Sequence, residues 1–369
     1  MRIGIDAREL LGHPTGIGRY LASLCQAWAQ SPRTRSHRFI LYSPAPIPED
    51  ETRLPFLSSS ESQFEIRVVP GSRGSWWEQM RLPPVVNADS PDVFFAPAYA
   101  APLRLAMPVV LTIHDISFAT HPEWFRWREG LRRRWLAARS AERAARILTV
   151  SQFTRRELID WLGIDGERIA VTPEAVDAGW APATSNAREP LVLFVGSIFT
   201  RRHLPWLIAA FGRALAQVPD ARLAVIGANR TYPCEDLQVH AVRAGLGARI
   251  TIEDWVDDAR LAGYYARARV FAFLSDYEGF GLPPLEALTA GVPIVVLDTP
   301  VAREVYGDAA TYVTAGDLNG VTDALVRGLA ASTHALPAAT EHVLARYSWT
   351  HTADLTLDAL ERAAEPAQG

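Results

Sequence analysis

Short, nearly uninterrupted apolar runs alternate along this chain with longer stretches in which apolar positions recur every three or four residues. The runs predict buried strands and the longer stretches predict amphipathic helices. The predicted strands are Arg2–Asp6, Phe39–Tyr42, Val93–Ala96, Val109–Ile113 and Ile147–Val150, followed by Leu191–Val195, Leu223–Ile226, Ile250–Ile252, Val270–Leu274 and Ile294–Leu297. Helices are predicted at Ile17–Gln30, Arg155–Leu162 and Pro205–Gln217, among others. Alternation of this kind implies an α/β fold, with parallel sheets covered by helices on both faces. Ten strands are many for one open sheet, so two sheets are expected. The break between them is Val176–Pro190, VDAGWAPATSNAREP, which has no apolar periodicity. The expected organisation is therefore two Rossmann-like, doubly wound domains, residues 1–186 and 187–348, with a last helical segment at 349–369. Ligands of such sheets bind at the carboxyl ends of the strands, and two such domains facing each other would enclose a cleft.

The segment Asp276–Val295, DYEGFGLPPLEALTAGVPIV, holds the densest chemistry. It follows an apolar run and reads as strand, glycine-rich turn and helix, with Pro283 and Pro284 in the first helical turn and Gly291 at the end. Glu278 falls in the turn and Glu286 about one turn into the helix, eight positions later. A helix N-terminus offers unpaired amides and a partial positive charge to phosphate, and Gly279 and Gly281 let the backbone approach a ligand. The prolines lack an N–H, which leaves the amides of Phe280, Gly281 and Leu282 as donors. A carboxylate beside a phosphate site serves best by holding hydroxyls, as an acidic residue holds a ribose diol. One carboxylate on each side suggests a ligand with hydroxyls at both ends, such as a nucleotide-sugar. An ordinary turn with two solvated glutamates is the competing reading, against which stands the coincidence of so many specific residue types.

Other loops follow predicted strands. Gly16 and Gly18 precede the first helix, but Leu21 stands where a dinucleotide fingerprint wants glycine, so a plain turn accounts for them as well. His114 and Asp115 end the strand VVLTI, where an imidazole can bond a sugar hydroxyl or a reacting oxygen, or simply cap the local backbone. In Gly196–His203, GSIFTRRH, Arg201 and Arg202 can clamp a diphosphate through charge-assisted bonds, although arginines at a helix start are commonly just solvated. Trp255 and Val256 can wall a nucleobase or fill the core. Phe125–Arg146 interleaves Trp127, Leu131, Trp135 and Leu136 with arginines; it is either a solvated surface helix or one that lies on an anionic membrane surface.

Composition narrows the classes. A net charge of −4 over 369 residues gives no reason to expect nucleic acid. Cys25 and Cys234 fit neither a CxxC nor a zinc pattern. All 37 basic residues are arginine, which excludes a lysine Schiff base and a Walker A loop. The start MRIGIDARE enters a strand at once with no signal peptide, and no run reaches the roughly 18 apolar residues of a membrane span. A cytoplasmic protein is expected, peripheral at the inner membrane face if the arginine-rich helix contacts lipid.

Together these loops resemble the large retaining glycosyltransferase family 4, of GT-B architecture, over almost the whole chain. YEGFGLPPLEALTAGVPIV resembles the family's E-x7-E signature, and VGSIFTRRHLPWLIAAF its second-domain opening, with Arg202 in place of the usual Lys and His203 where Asn is common. TIHDISFATHPEWF and TVSQFTRREL resemble the bacterial polysaccharide mannosyl- and rhamnosyltransferase branch. YSWTHTADLTLDAL resembles the final helix that crosses back to the first domain.

The resemblance implies a role for each matching residue. Glu286 would hold the ribose and Glu278 the donor sugar. The backbone of Gly279, Phe280, Gly281 and Leu282 would meet sugar and phosphate. Arg201 and Arg202 would stabilise the leaving diphosphate. Ser197, Trp255 and Val256 would line the donor site, Gly16 and Gly18 would approach the diphosphate, and His114 would face the reacting sugar. It also implies hexose transfer with retention, from a nucleotide-sugar (GDP-sugar favoured) to a glycan or lipid-linked acceptor, with no cofactor and no metal. A nucleotide-sugar epimerase of the same architecture and a non-catalytic, nucleotide-sugar-binding partner subunit are the alternatives.

Overall fold

The computed structural model describes residues 1–12, 16–47, 54–57, 63–176, 188–331 and 336–365. The chain divides into two compact units. The first comprises Met1–Thr120, Trp127–Ala175 and Tyr347–Gly369, the second His121–Arg126 and Val176–Arg346. The boundary expected near residue 187 falls in 177–187, outside the described residues.

The first unit is built on seven parallel strands: β1 (Arg2–Asp6), β2 (Arg38–Ser43), β3 (Phe64–Val68), β4 (Val93–Ala96), β5 (Val109–Thr112), β6 (Arg146–Thr149) and β7 (Ile169–Val171), in the order β3-β2-β1-β4-β5-β6-β7. The second has six: β8 (Leu191–Val195), β9 (Arg222–Ile226), β10 (Ile250–Glu253), β11 (Val270–Phe273), β12 (Ile294–Leu297) and β13 (Ala310–Val313), in the order β10-β9-β8-β11-β12-β13. Both are doubly wound α/β sheets. All ten predicted strands are present within a residue or so of their expected ends. The three not predicted, β3, β7 and β13, lie at sheet edges. An edge strand is only half covered, so its sequence carries polar or small residues where a central strand is continuously apolar. FEIRV, IAV and ATYV are partly exposed, whereas VFFA, VVLT and VFAF are buried at every position.

Capping residues fix the helix ends. Ser151 accepts the Thr154 N–H at 3.1 Å to open the helix Gln152–Leu162, and Gly163 closes it in the left-handed conformation. The last helix, Trp349–Ala364, is opened in the same way by Ser348 and packs into the first unit. Its Leu357 and Leu360 are fully buried in one cluster with Ile3, Trp28, Phe39 and Phe95. The Trp28 indole stacks on Phe39 at 5.1 Å and donates to the Ala353 carbonyl at 3.0 Å. At the rim, Arg33 pairs with Asp358 and Glu361, all at least partly exposed.

Burial and not charge holds this helix. Leu360→Ala removes apolar surface from a closed core and should cost about 2–5 kcal/mol. Arg33→Ala breaks solvent-exposed pairs and should cost no more than about 1 kcal/mol. Denaturant unfolding of the two variants checks the ranking; an equal loss would contradict it.

Candidate functional site

In the second sheet the chain steps outward from β8 through β9 to β10, then returns to β11 on the other side of β8. The loops leaving β8 and β11 therefore diverge at their carboxyl ends, the switch point where open parallel sheets bind ligands. The loop after β8 carries Ser197, Arg201 and Arg202, and the loop after β11 carries Glu278 to Leu282. The structure brings the two loops together. Arg202 Nε donates to Glu278 Oε1 at 2.7 Å, and its Nη1 donates to the Ser197 carbonyl at 2.7 Å. Arg201 Nε donates to the Tyr277 carbonyl at 3.0 Å, and the Asp276 N–H returns a bond to the Arg201 carbonyl at 3.0 Å. Two glycines make this approach sterically feasible. A Cβ on Gly196, whose φ is +129°, would sit 2.7 Å from Arg202 Nη1; one on Gly281, at φ +95°, would run into the Tyr306 hydroxyl. That hydroxyl instead donates to the Gly281 carbonyl at 2.8 Å, fixing the turn that opens the helix Leu282–Thr289.

Charge follows from this packing. Burial alone would push the Glu278 carboxyl up, but the guanidinium charges of Arg202 and Arg201, with hydrogen bonds from Arg202 and from Ser275 at 2.8 Å, outweigh it and hold the group below the usual carboxylate range. Glu278 is therefore ionised at neutral pH. Both arginines are buried, and Phe199 and Phe273 pack on their planes at 4.4 and 4.7 Å. His203 takes the left-handed conformation (φ 47°), which His and Asn enter more readily than most residues, and its ring pairs with Asp276. A left-handed backbone at this position accommodates the His that stands where the resemblance has Asn.

Glu286 lies one turn into its helix, buried, and accepts from the Tyr265 hydroxyl at 2.8 Å. Trp255 is 54% exposed beyond β10, whereas Val256 is buried. In the first unit, Gly16 begins the helix Gly16–Gln30 and Gly18 is buried; residues 13–15 lie outside the described residues. His114 sits beyond β5 with both ring nitrogens engaged, Nδ1 to Glu174 Oε1 and Nε2 to the Pro97 carbonyl, each at 2.9 Å. Burial pushes the imidazole down, but Glu174, Pro97 and Asp115 together raise it above its ordinary value. The first unit also holds a buried pair at the end of β1, its own switch strand. Arg8 bonds Glu78 and lies 3.4 Å from Asp6. Burial pushes Asp6 up to about 6.

Reasoning from the sequence missed Ser275, Tyr265, Tyr306, Glu174, Arg8 and Glu78. Ser275 was within reach, one residue from the segment singled out. Tyr265 and Tyr306 look like ordinary core aromatics, and nothing in their spacing marks them. Glu174 follows β7 as His114 follows β5, but β7 itself was not recognisable. Among the described residues no group of three or more His, Cys, Asp or Glu side chains converges as metal ligands would.

Comparison with known proteins places both units. A family model described as glycosyltransferase family 4 matches residues 14–180, and one described as glycosyl transferases group 1 matches 189–331. The O-antigen chain mannosyltransferase B of Escherichia coli is 28% identical over 64% of this chain and 65% of its own length. The O-antigen chain mannosyltransferase RfbU of Salmonella typhimurium is 28% identical over 56% of this chain and 57% of its own. The matched stretches thus span less than two thirds of these relatives. Among solved structures, Anabaena HepE in complex with UDP and glucose superposes with a TM-score of 0.73 at 18% identity, covering 98% of this chain and all of that one. WaaG, a glycosyltransferase involved in lipopolysaccharide biosynthesis, does so with 0.67 at 16% identity over both full chains. Those two likenesses establish the GT-B fold. With a matching model on each unit, the chain belongs to the glycosyltransferases of family 4 and group 1.

Proposed function

We propose that this protein is a retaining hexosyltransferase that moves a mannose-type sugar from a nucleotide diphosphate donor to a glycan or lipid-linked acceptor in cell-surface polysaccharide synthesis. The observation that carries the reading is the Arg202–Glu278 pair at the switch point of the second sheet, with Glu286 eight positions further on. The relatives named as mannosyltransferases support the sugar; the preference for GDP as the nucleotide rests on the resemblance of the sequence to the mannosyl- and rhamnosyltransferase branch. In this reading Glu286, held by Tyr265, takes the ribose hydroxyls. Glu278, ionised by its arginines, takes hydroxyls of the donor sugar. Arg201 and Arg202 face the diphosphate. As the bond to the anomeric carbon breaks, negative charge grows on the leaving diphosphate, and buried guanidiniums already in place stabilise it without reorganising. No step needs a divalent cation.

The arginine-rich helix Trp127–Arg143 supports a peripheral membrane contact. Trp127, Leu131 and Trp135 are 71%, 54% and 55% exposed and stand one turn apart on one side. Six arginines against two glutamates make the helix strongly basic. No described helix is long and apolar enough to cross a membrane. A basic helix with exposed tryptophans suits an anionic lipid surface, each arginine contributing about 1 kcal/mol there. Such a contact would put the enzyme at the cytoplasmic face, beside lipid-linked acceptors.

Three measurements test these readings. In a metal-free panel of GDP-, UDP-, dTDP- and ADP-mannose and -glucose, GDP-mannose should give the largest thermal shift, and Glu286→Gln should raise its KM about 10- to 100-fold by removing charge-assisted bonds. Conversion of the donor to an epimer without acceptor would replace the transferase reading. Arg202→Ala should lower kcat at least about 100-fold. Because it leaves the largely buried Glu278 without its guanidinium partner, Arg202→Ala/Glu278→Gln should recover stability but not turnover. For the membrane, the wild type should sediment with phosphatidylglycerol vesicles and not with phosphatidylcholine, and Trp127→Ser/Trp135→Ser should lose that binding. Equal binding to both lipids would remove the proposal.

A further inference from the structure

His114 lies just past the carboxyl end of β5, and its hydrogen-bond partners determine what the ring carries. Nε2 faces the Pro97 carbonyl oxygen at 2.9 Å, which can only accept, so Nε2 bears a hydrogen. Nδ1 faces Glu174 Oε1 at 2.9 Å, and where that carboxyl is the ionised acceptor of the bond, Nδ1 bears a hydrogen too. A ring with hydrogens on both nitrogens is an imidazolium. We propose that Glu174 is a positioning residue that keeps His114 doubly protonated and oriented, so that His114 is a fixed cation at the carboxyl end of β5 and has no free ring nitrogen to act as the base that deprotonates an acceptor. The catalytic half of this statement rests on the transferase reading above; the protonation half does not.

The surroundings support it. His114 and Glu174 side chains are 17% and 10% exposed, so their attraction is little screened by water. Asp115, next in the chain, adds a second negative charge near the ring, and Tyr20 from the helix Gly16–Gln30 meets it edge-on at 4.8 Å. None of these is cationic. The backbone at His114 is pinned by the Thr154 hydroxyl, which donates to its carbonyl at 3.2 Å. Glu174 is delivered by the fold. The Thr172 N–H donates to the Thr149 carbonyl at 2.7 Å, continuing the β6–β7 ladder, and Thr352 of the last helix donates to the Pro173 carbonyl.

The consequence for the chemistry is specific. The bond between acceptor oxygen and anomeric carbon forms as the bond from that carbon to phosphate oxygen breaks. The bonding pair leaves with the diphosphate. With His114 already protonated, the acceptor proton passes to an oxygen of the departing diphosphate.

Histidine ring 15N spectra of the full chain test the proposal, with the His114 signals assigned by their absence from His114→Gln. In the wild type at pH 7.5 both ring nitrogens of His114 should be protonated. Its titration midpoint should lie above the ordinary value of about 6.5. Glu174→Gln keeps the shape and can donate to a bare Nδ1, so its His114 should be neutral at pH 7.5, with the midpoint at least about one pH unit lower. The linkage has a definite sign. A raised folded-state value stabilises the protein fully below the unfolded value, and that contribution is lost as pH rises through the folded one. Glu174→Gln should therefore lose stability relative to wild type at pH 6 more than at pH 9. The kcat of the wild type should show no ascending limb at the His114 midpoint. A bare Nδ1 in the wild type, or a midpoint unmoved in Glu174→Gln, would overturn the proposal, and the wild-type spectrum decides this even if the variant does not fold. An ascending limb of kcat that tracks the His114 midpoint would establish a base and overturn the catalytic half. Failure of the donor panel would sink the transferase reading while leaving the spectra untouched.

Discussion

The ion pair between Arg202 and Glu278 is the constraint around which the second unit is arranged. Two loops that leave neighbouring strands at a switch point run apart by topology. Here they are drawn together by a guanidinium that bonds its own loop at the Ser197 carbonyl and the other loop at Glu278. Neither charge tolerates burial alone, since breaking such a pair leaves an uncompensated ion. The glycine at 196 follows from it, because any side chain there would meet the guanidinium. The first unit repeats the device where β1 ends, with Arg8 buried against Glu78 and Asp6. In each sheet the strand whose loop opens the switch point is followed by an arginine paired with a glutamate from a distant stretch of chain.

The identity of the cation matters. In the resemblance read from the sequence, lysine is usual where Arg202 stands, and this chain has no lysine at all. A lysine is a point charge and would choose among partners. Arginine presents a rigid fork, and here Nε and Nη1 serve two acceptors at once. The cation is thereby oriented before any ligand arrives, and Glu278 is kept ionised by the same contact. A site organised in this way loses little free energy to rearrangement when charge develops on a leaving group.

How much of this the sequence carries differs from element to element. The central strands are legible because burial on both faces demands uninterrupted apolar residues, as in VFAF and IVVL. β3, β7 and β13 are not, because half-exposed edges permit FEIRV or ATYV, which have no distinctive period. The E-x7-E segment is legible because glycines, prolines and carboxylates must fall at fixed offsets around one turn. The partners of those carboxylates are not. Tyr265 reaches Glu286 from a separate helix, and Tyr306 covers Gly281 from another; only the folded chain gives them neighbours. His114 is an intermediate case. Its position at a strand end can be read, but its protonation depends on Glu174, which follows an edge strand the pattern does not reveal.

That dependence reaches the far end of the chain. The last helix is held in the first unit by Leu357 and Leu360, in a core shared with β1 and with the Gly16–Gln30 helix. On the same helix, Thr352 bonds the carbonyl of Pro173, the residue before Glu174. Apolar burial of one helix thus fixes the placement of a carboxylate, and the carboxylate fixes the charge of a ring beside β5. Hydrophobic packing alone carries no information about protonation. It acquires some here because the backbone it immobilises places a carboxyl against the ring nitrogen of His114.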